Sequence, residues 1–221
     1  MKNQELAKFI DHTILKQYVD TNTVSTYCEQ AIEYGFYSVC VNPCHVKFVS
    51  QKLKGTGVKV CTVIGFPLGA NVPEVKAYET KLAIQDGADE VDMVINIGAL
   101  KEGNFDLVRK DILGVVKEAK NKVVKVIIET CFLNEQEKRA VCKIAKECGA
   151  HFVKTSTGFG TGGAKVVDVK LIKDVVGDSM GIKASGGIRD IDTLEELIKA
   201  GASRIGTSSS MDFVRQYVNL V

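Results

Sequence analysis

Apolar residues in this chain fall into short, nearly continuous runs separated by longer stretches in which they recur every third or fourth position. Val123-Val124-Lys125-Val126-Ile127-Ile128 is the clearest short run, and such segments are how parallel strands buried on both faces read. Four junctions repeat one local grammar, a helical run that ends in glycine just before a strand. They are Glu33-Tyr34-Gly35 before Tyr37, Gln85-Asp86-Gly87-Ala88 before Glu90, Glu147-Cys148-Gly149-Ala150 before Phe152, and Lys199-Ala200-Gly201-Ala202 before Arg204. Glycine suits the left-handed residue just past a helix C-terminus, so each junction predicts a helix-to-strand turn.

Extended to the whole chain, the pattern predicts strands near 8–13, 36–41, 58–65, 89–96, 123–129, 151–154, 180–184 and 203–207. Helices are predicted near 21–34, 43–54, 73–86, 104–120, 134–148, 166–176, 190–200 and 209–218. Asp20 or Thr21, Asn134 with Glu137, and Asp190 or Asp192 supply helix starts. Strand and helix alternating through residues 1–221 fit an α/β fold of one domain, a (β/α)8 barrel. An open doubly wound sheet also alternates, but it would usually carry a glycine fingerprint after the first strand. Here that strand runs into Asp11-His12-Thr13-Ile14-Leu15-Lys16, and the glycine turns follow the sixth, seventh and eighth strands instead.

In a barrel the residues that close each strand share one mouth, where active sites lie. The strand ends give Asp11 and His12, Cys40 and Asn42, Gly65 and Phe66, Asp92 and Asn96, Glu129 and Thr130, Lys154 and Ser156, Lys183 and Ser185, and Ser208 with Ser209. Lys154 and Lys183 stand out, because a buried ammonium is costly unless it is paired or gives up its proton. Two neighbouring ammoniums lower each other's proton affinity and can leave one amine free to attack a carbonyl. Asp92, set within Val91-Asp92-Met93-Val94, needs a cation, and the lysines are its natural partners. A lone strand-end lysine more often serves a structural ion pair; two, with an aspartate and phosphate-type turns, point to chemistry. Gly186-Gly187 and Gly206-Thr207-Ser208-Ser209 offer amides, hydroxyls and following helix N-termini to an anion, with Arg189 nearby. The same glycines would also serve simply to close tight turns. Cys40 reads as a pocket wall, and the three histidines as structural side chains.

Composition narrows the class. With 29 basic and 27 acidic residues intermixed, no stripe marks a nucleic-acid or acidic-membrane partner. No apolar stretch approaches the roughly 20 residues of a membrane span, and the N-terminus lacks a signal-peptide core. Seven cysteines, an odd number, fit a reducing, cytoplasmic setting. Cys40-Val41-Asn42-Pro43-Cys44-His45 raises a zinc site, but a structural site needs a second ligand pair that the sequence does not offer. No metal or cofactor is expected.

Lys154-Thr155-Ser156-Thr157-Gly158-Phe159, Lys183-Ala184-Ser185-Gly186-Gly187-Ile188-Arg189, Glu90-Val91-Asp92-Met93-Val94-Ile95-Asn96 and Cys40-Val41-Asn42-Pro43 resemble the signature segments of the deoxyribose-phosphate aldolase family, a likeness that runs from Asp11 to Ser210. The resemblance implies a cofactor-free class I aldolase that interconverts 2-deoxy-D-ribose 5-phosphate with acetaldehyde and D-glyceraldehyde 3-phosphate. It implies Lys154 as Schiff-base nucleophile, Lys183 as the ammonium that lowers its neighbour's proton affinity, and Asp92 as a carboxylate that helps move protons. Thr155 and Cys40 would border the substrate, and Gly158, Gly186, Gly187, Gly206, Ser208 and Ser209 would hold its phosphate. On this reading cleavage is placed at C3–C4. Some members end in a tyrosine that reaches the site, whereas this chain ends Tyr217-Val218-Asn219-Leu220-Val221 and Tyr217 reads as part of the last helix. A homodimer is expected as the assembly. The competing readings are another Schiff-base barrel aldolase, such as a transaldolase or keto-acid aldolase, and a sugar-phosphate binding protein without turnover.

Overall fold

The structure, a computed structural model, describes residues 3–218; Asn219, Leu220 and Val221 lie outside the described residues. Its strands are β1 (Ile10–Ile14), β2 (Ser38–Val41), β3 (Lys59–Ile64), β4 (Glu90–Val94), β5 (Val123–Ile127), β6 (Phe152–Lys154), β7 (Gly181–Ser185) and β8 (Arg204–Thr207). They form a closed barrel in sequence order, and every neighbouring pair is parallel, including β1 with β8. Closure removes the sheet edges, and it explains why the strands lack polar/apolar alternation, since both faces are buried.

The helices are α1 (Asn3–Ala7), α2 (Thr21–Tyr34), α3 (Val46–Lys52), α4 (Pro73–Gln85), α5 (Ile97–Lys101), α6 (Phe105–Ala119), α7 (Glu135–Glu147), α8 (Val166–Val176), α9 (Ile191–Lys199) and α10 (Ser210–Val218). Among the described residues none is long and apolar enough to cross a membrane. Helix starts follow the sequence signals. Asp20 accepts from the Thr23 N–H at 2.8 Å, and Asn134 with Glu137 forms a reciprocal capping box that satisfies two orphan N–H groups. At the other end of α2, Gly35 adopts φ 67° and its N–H closes back on the Ala31 carbonyl. Gly87, Gly149 and Gly201 occupy the equivalent turns.

Several elements depart from expectation. The first strand begins at Ile10 rather than residue 8, after the short helix α1. The helix expected over 43–54 opens as a 3-10 turn, Pro43–His45, before α3. The helix α5 after β4 was not expected; Asn96 caps it by accepting from Ala99 N at 3.0 Å. That commitment engages the Asn96 side-chain oxygen with the α5 backbone, and Asn96 does not line the cavity at the C-terminal ends of the strands. Tyr217 lies within α10, as the periodicity predicts.

Candidate active site

The barrel interior holds a ring of charges. Asp92 on β4 accepts from Lys154 Nζ at 2.8 Å and from Lys183 Nζ at 2.7 Å, both through Oδ2. Its Oδ1 accepts from Lys125 Nζ at 2.8 Å and from the Cys61 thiol at 3.3 Å. Lys183 also pairs with Asp11 Oδ2 at 2.5 Å, and Lys125 with Glu90 Oε2 at 2.5 Å. Arg204 bridges Asp11 at 2.9 Å and Glu90 at 3.0 Å, with its guanidinium 3.4 Å from the centroid of the Tyr37 ring. Every one of these charged groups is buried. They form a network because the register of a closed parallel barrel turns successive strands' inward residues toward one axis. Asp92 is paired with Lys125, and Lys154 with Lys183, across adjacent strands.

Burial alone would raise the Asp92 carboxyl, but Lys125, Lys154 and Lys183 outweigh it and hold the group well below its ordinary range. Asp11 is treated likewise: burial opposes ionisation, while Lys183, Lys125 and Arg204 lower it. Lys183 shows the converse. Burial pulls its ammonium down, but Asp11 and Asp92 raise it above the usual lysine value, so Lys183 stays charged. Lys125 is raised in the same way, against burial, chiefly by Asp92.

Above this network a cavity of about 550 Å³ opens at the C-terminal ends of the strands. Lys154, Gly158, Gly186, Gly187, Gly206, Ser208 and Ser209 line it, together with residues of the β1 end and Arg189. Gly186 adopts φ 86°, and Gly163 packs so closely on it that a Cβ at Gly163 would sit 2.1 Å from the Gly186 oxygen. The glycines thus let the loops after β6 and β7 meet backbone to backbone. Glu129, at the end of β5, accepts from the Thr157 N–H at 3.2 Å and from the Thr157 hydroxyl, which ties that loop down. Phe159 meets Phe66 edge-on at 5.3 Å.

Other expected residues sit elsewhere. Asp92 and Lys183 lie beneath the cavity floor, fully buried. Cys40 is also fully buried; its thiol, that of Cys61 and the Asp92 carboxylate lie within 4.8 Å of one another. Thr155 uses its hydroxyl to accept from Ser185 N at 3.1 Å and to donate to Ser185 O at 3.2 Å, so it joins β6 to β7 behind the cavity. His12 points outward, where Gln30 Oε1 lies 2.9 Å from Nε2, and burial pulls it down to about 4. The helix after β7 begins only at Ile191, and Asp190 already caps it by accepting from Thr193 N at 2.8 Å. Its N-terminus is therefore committed, whereas α10 starts directly after Ser209.

Lys125, Glu90 and Arg204 are the charged residues that the sequence reading missed. Lys125 sits between valines in the strand taken as the most apolar of all, the same signal that singled out Asp92. As for a metal, Cys44 is exposed while Cys40 is buried, and among the described residues neither Cys44 nor His45 joins Cys40 in a group of possible ligands. Two inward groups, Cys40-Cys61-Asp92 and Asp11-Cys61-Glu90, have suitable donors. The Lys125 ammonium already stands among them, 3.5 Å from Cys61 Sγ and within salt-bridge distance of both Asp92 and Glu90.

A closed (β/α)8 barrel that presents one buried lysine to a cavity edged by glycine turns defines a barrel enzyme suited to amine chemistry on a carbonyl. Residues 6–213 match the DeoC/LacD family aldolase model, and the chain belongs to that family. It is 60% identical over 213 residues to a deoxyribose-phosphate aldolase of Clostridium tetani, covering 96% of this chain and 99% of that protein. Identity to the enzyme of that name from Thermococcus gammatolerans is 57% over 218 residues, 97% of each chain. Among solved structures, one described as a putative deoxyribose-phosphate aldolase from Coccidioides immitis superposes with a TM-score of 0.95 at 39% identity, covering 98% of this chain and 87% of that one. The tetrameric deoxyribose phosphate aldolase of Aeropyrum pernix gives 0.92 at 34% identity, over 100% and 94% of the two chains. This chain is accordingly an aldolase, a carbon–carbon lyase.

Proposed function

We propose that the chain acts as one domain to cleave 2-deoxy-D-ribose 5-phosphate reversibly to D-glyceraldehyde 3-phosphate and acetaldehyde, with Lys154 as the Schiff-base nucleophile. One observation carries the assignment: among the described residues, Lys154 alone belongs both to the charge network, through Asp92 at 2.8 Å, and to the cavity wall. Lys154 adds as the free amine to the C1 aldehyde, and loss of water leaves a protonated imine that acts as an electron sink. Carbon balance puts the cleaved bond at C2–C3 rather than at C3–C4, since acetaldehyde carries C1 and C2. Removal of the C3 hydroxyl proton sends the C2–C3 electron pair toward the imine and gives an enamine. Protonation at C2 and hydrolysis then release acetaldehyde and restore the lysine.

Lys183 serves as a fixed ammonium beside the reacting amine. Asp92, with both oxygens engaged and its proton affinity depressed, is a weak base while three ammoniums face it. Once Lys154 is uncharged, one of those three is gone and Asp92 can pass a proton through Lys183 or water. Gly158, Gly186, Gly187, Gly206, Ser208 and Ser209 hold the phosphate, next to the N-terminus of α10. That remote grip orients the reacting carbon. Seven free cysteines suit work in the cytoplasm, and we expect a homodimer, which light scattering reads directly.

Borohydride reduction in the presence of acetaldehyde, followed by peptide mapping, tests the nucleophile. An ethyl adduct on Lys154 is expected, and Lys154→Ala should lose the adduct and roughly 10⁴-fold or more of kcat while remaining folded. An adduct on Lys183 would reverse the roles. No adduct on the folded wild type would remove the Schiff-base reading.

A further inference from the structure

One wall of the cavity comes from a source that neither the strand ends nor the glycine turns supply. Among its lining residues Tyr27 alone projects from the body of a helix, α2. Its ring is half-buried and fixed from behind. His12, on the outward face of β1, stacks on it with centroids 4.2 Å apart and planes 15° from parallel. Gln30, one turn further along α2, holds the His12 ring in place at 2.9 Å, and Phe36 packs on it at 5.0 Å.

The surroundings of the phenol are polar and charged. Its titration responds to Lys16, which lines the same cavity, and to Asp212 in the first turn of α10. Burial, the largest influence, pushes the phenol above its ordinary value, and Lys16 offsets only part of that. The group is thus a neutral O–H donor throughout the physiological range, on a cavity wall shared with Ser208 and Ser209, which lead into α10. A rigid neutral donor lining the same cavity as a lysine and the residues that lead into a helix N-terminus matches the chemistry of a phosphate monoester: it adds a hydrogen bond to the anion without a charge that must be desolvated.

We infer that Tyr27 donates its hydroxyl to the substrate phosphate, which makes it a binding residue specific for phosphorylated sugar. The identity of that sugar rests on the aldolase reading above. Tyr27→Phe removes the donor and keeps the ring over His12. Its KM for 2-deoxyribose 5-phosphate should rise about ten-fold, the size expected for one hydrogen bond to a charged group, with kcat changing less than two-fold. The loss should be confined to phosphorylated substrate and be absent with 2-deoxyribose. Inorganic phosphate, titrated by calorimetry against the intact wild type and Tyr27→Phe, should bind about ten-fold more weakly to the variant. Equal phosphate affinity in the two proteins, equal losses on both sugars, or no phosphate binding to the wild type would overturn the assignment. The two readings fail separately: a chain that binds phosphate in a Tyr27-dependent way but turns over no 2-deoxyribose 5-phosphate would retain Tyr27 and discard the aldolase.

Discussion

Asp11 and His12 are consecutive in β1, almost equally buried, and opposite in charge behaviour. Asp11 faces the barrel axis, where Lys183 and Arg204 meet it at 2.5 and 2.9 Å, and it is kept ionised. His12 faces the layer between barrel and helices, where Gln30 is its hydrogen-bond partner and its Nδ1 has none among the described residues; it is kept neutral. Burial penalises charge on both sides of the strand. What differs is the supply of counter-charge, since inward positions from several strands converge on a single axis while outward positions each meet one helix. A parallel barrel can therefore concentrate ionised chemistry at its centre and still surround it with an apolar jacket. Among the described residues the outer layer holds its buried aspartates in separate pairs rather than in a network: Lys76 with Asp111 at 2.6 Å, supported by the Val94 carbonyl at 2.8 Å, and Lys138 with Asp168 at 2.6 Å.

The comparison breaks most visibly at Lys125. Lys125→Met leaves Asp92 and Glu90 each short of a buried cation, and urea unfolding should show a loss of about 3–5 kcal/mol. Wild-type stability in that variant would mean that the axial charges do not depend on one another. A smaller effect comes from the other face of β1. The folded His12 value near 4 lies below the ordinary 6.5, so the unfolded chain takes up the proton first. Its contribution is fully present above pH 6.5 and is lost as pH falls from 6.5 through 4, about 3 kcal/mol in all. Unfolding measured across that window should flatten by this amount in His12→Phe, while the activity attributed to the axial network keeps its own pH profile. The smallest effect belongs to the surface. Lys110 and Glu74 approach to 2.5 Å but are more than half exposed, so Lys110→Ala should cost under about 1 kcal/mol, and less in high salt.

The barrel was legible because its evidence is local. Glycine C-caps and N-cap residues announce their turns without help from the rest of the chain, and helix α8 falls on the span 166–176 that periodicity predicts. Lys154, Lys183 and Asp92 were legible because charge within an apolar run is conspicuous. Lys125 carried the same signal but sat in the middle of its strand, and attention to strand ends passed over it. Glu90 and Arg204 open their strands, where a charged residue reads as the exposed end of a helix-to-strand turn. Only the closed register shows that they reach inward. Thr155 and Asn96 were read as site residues, but their side chains satisfy backbone groups, a competition that sequence spacing does not reveal.

The four glycine turns that end helices at the N-terminal side of the barrel have a use beyond folding. They lie at the opposite end of the strands from Lys154 and its cavity, and α1 packs against α10, which brings the two ends of the described chain together. The covalent order of the units is thus separable from their arrangement in space. An engineer could join the ends and reopen the chain at Gly35, Gly87, Gly149 or Gly201, and so move the point at which the polypeptide begins without disturbing the face where it reacts.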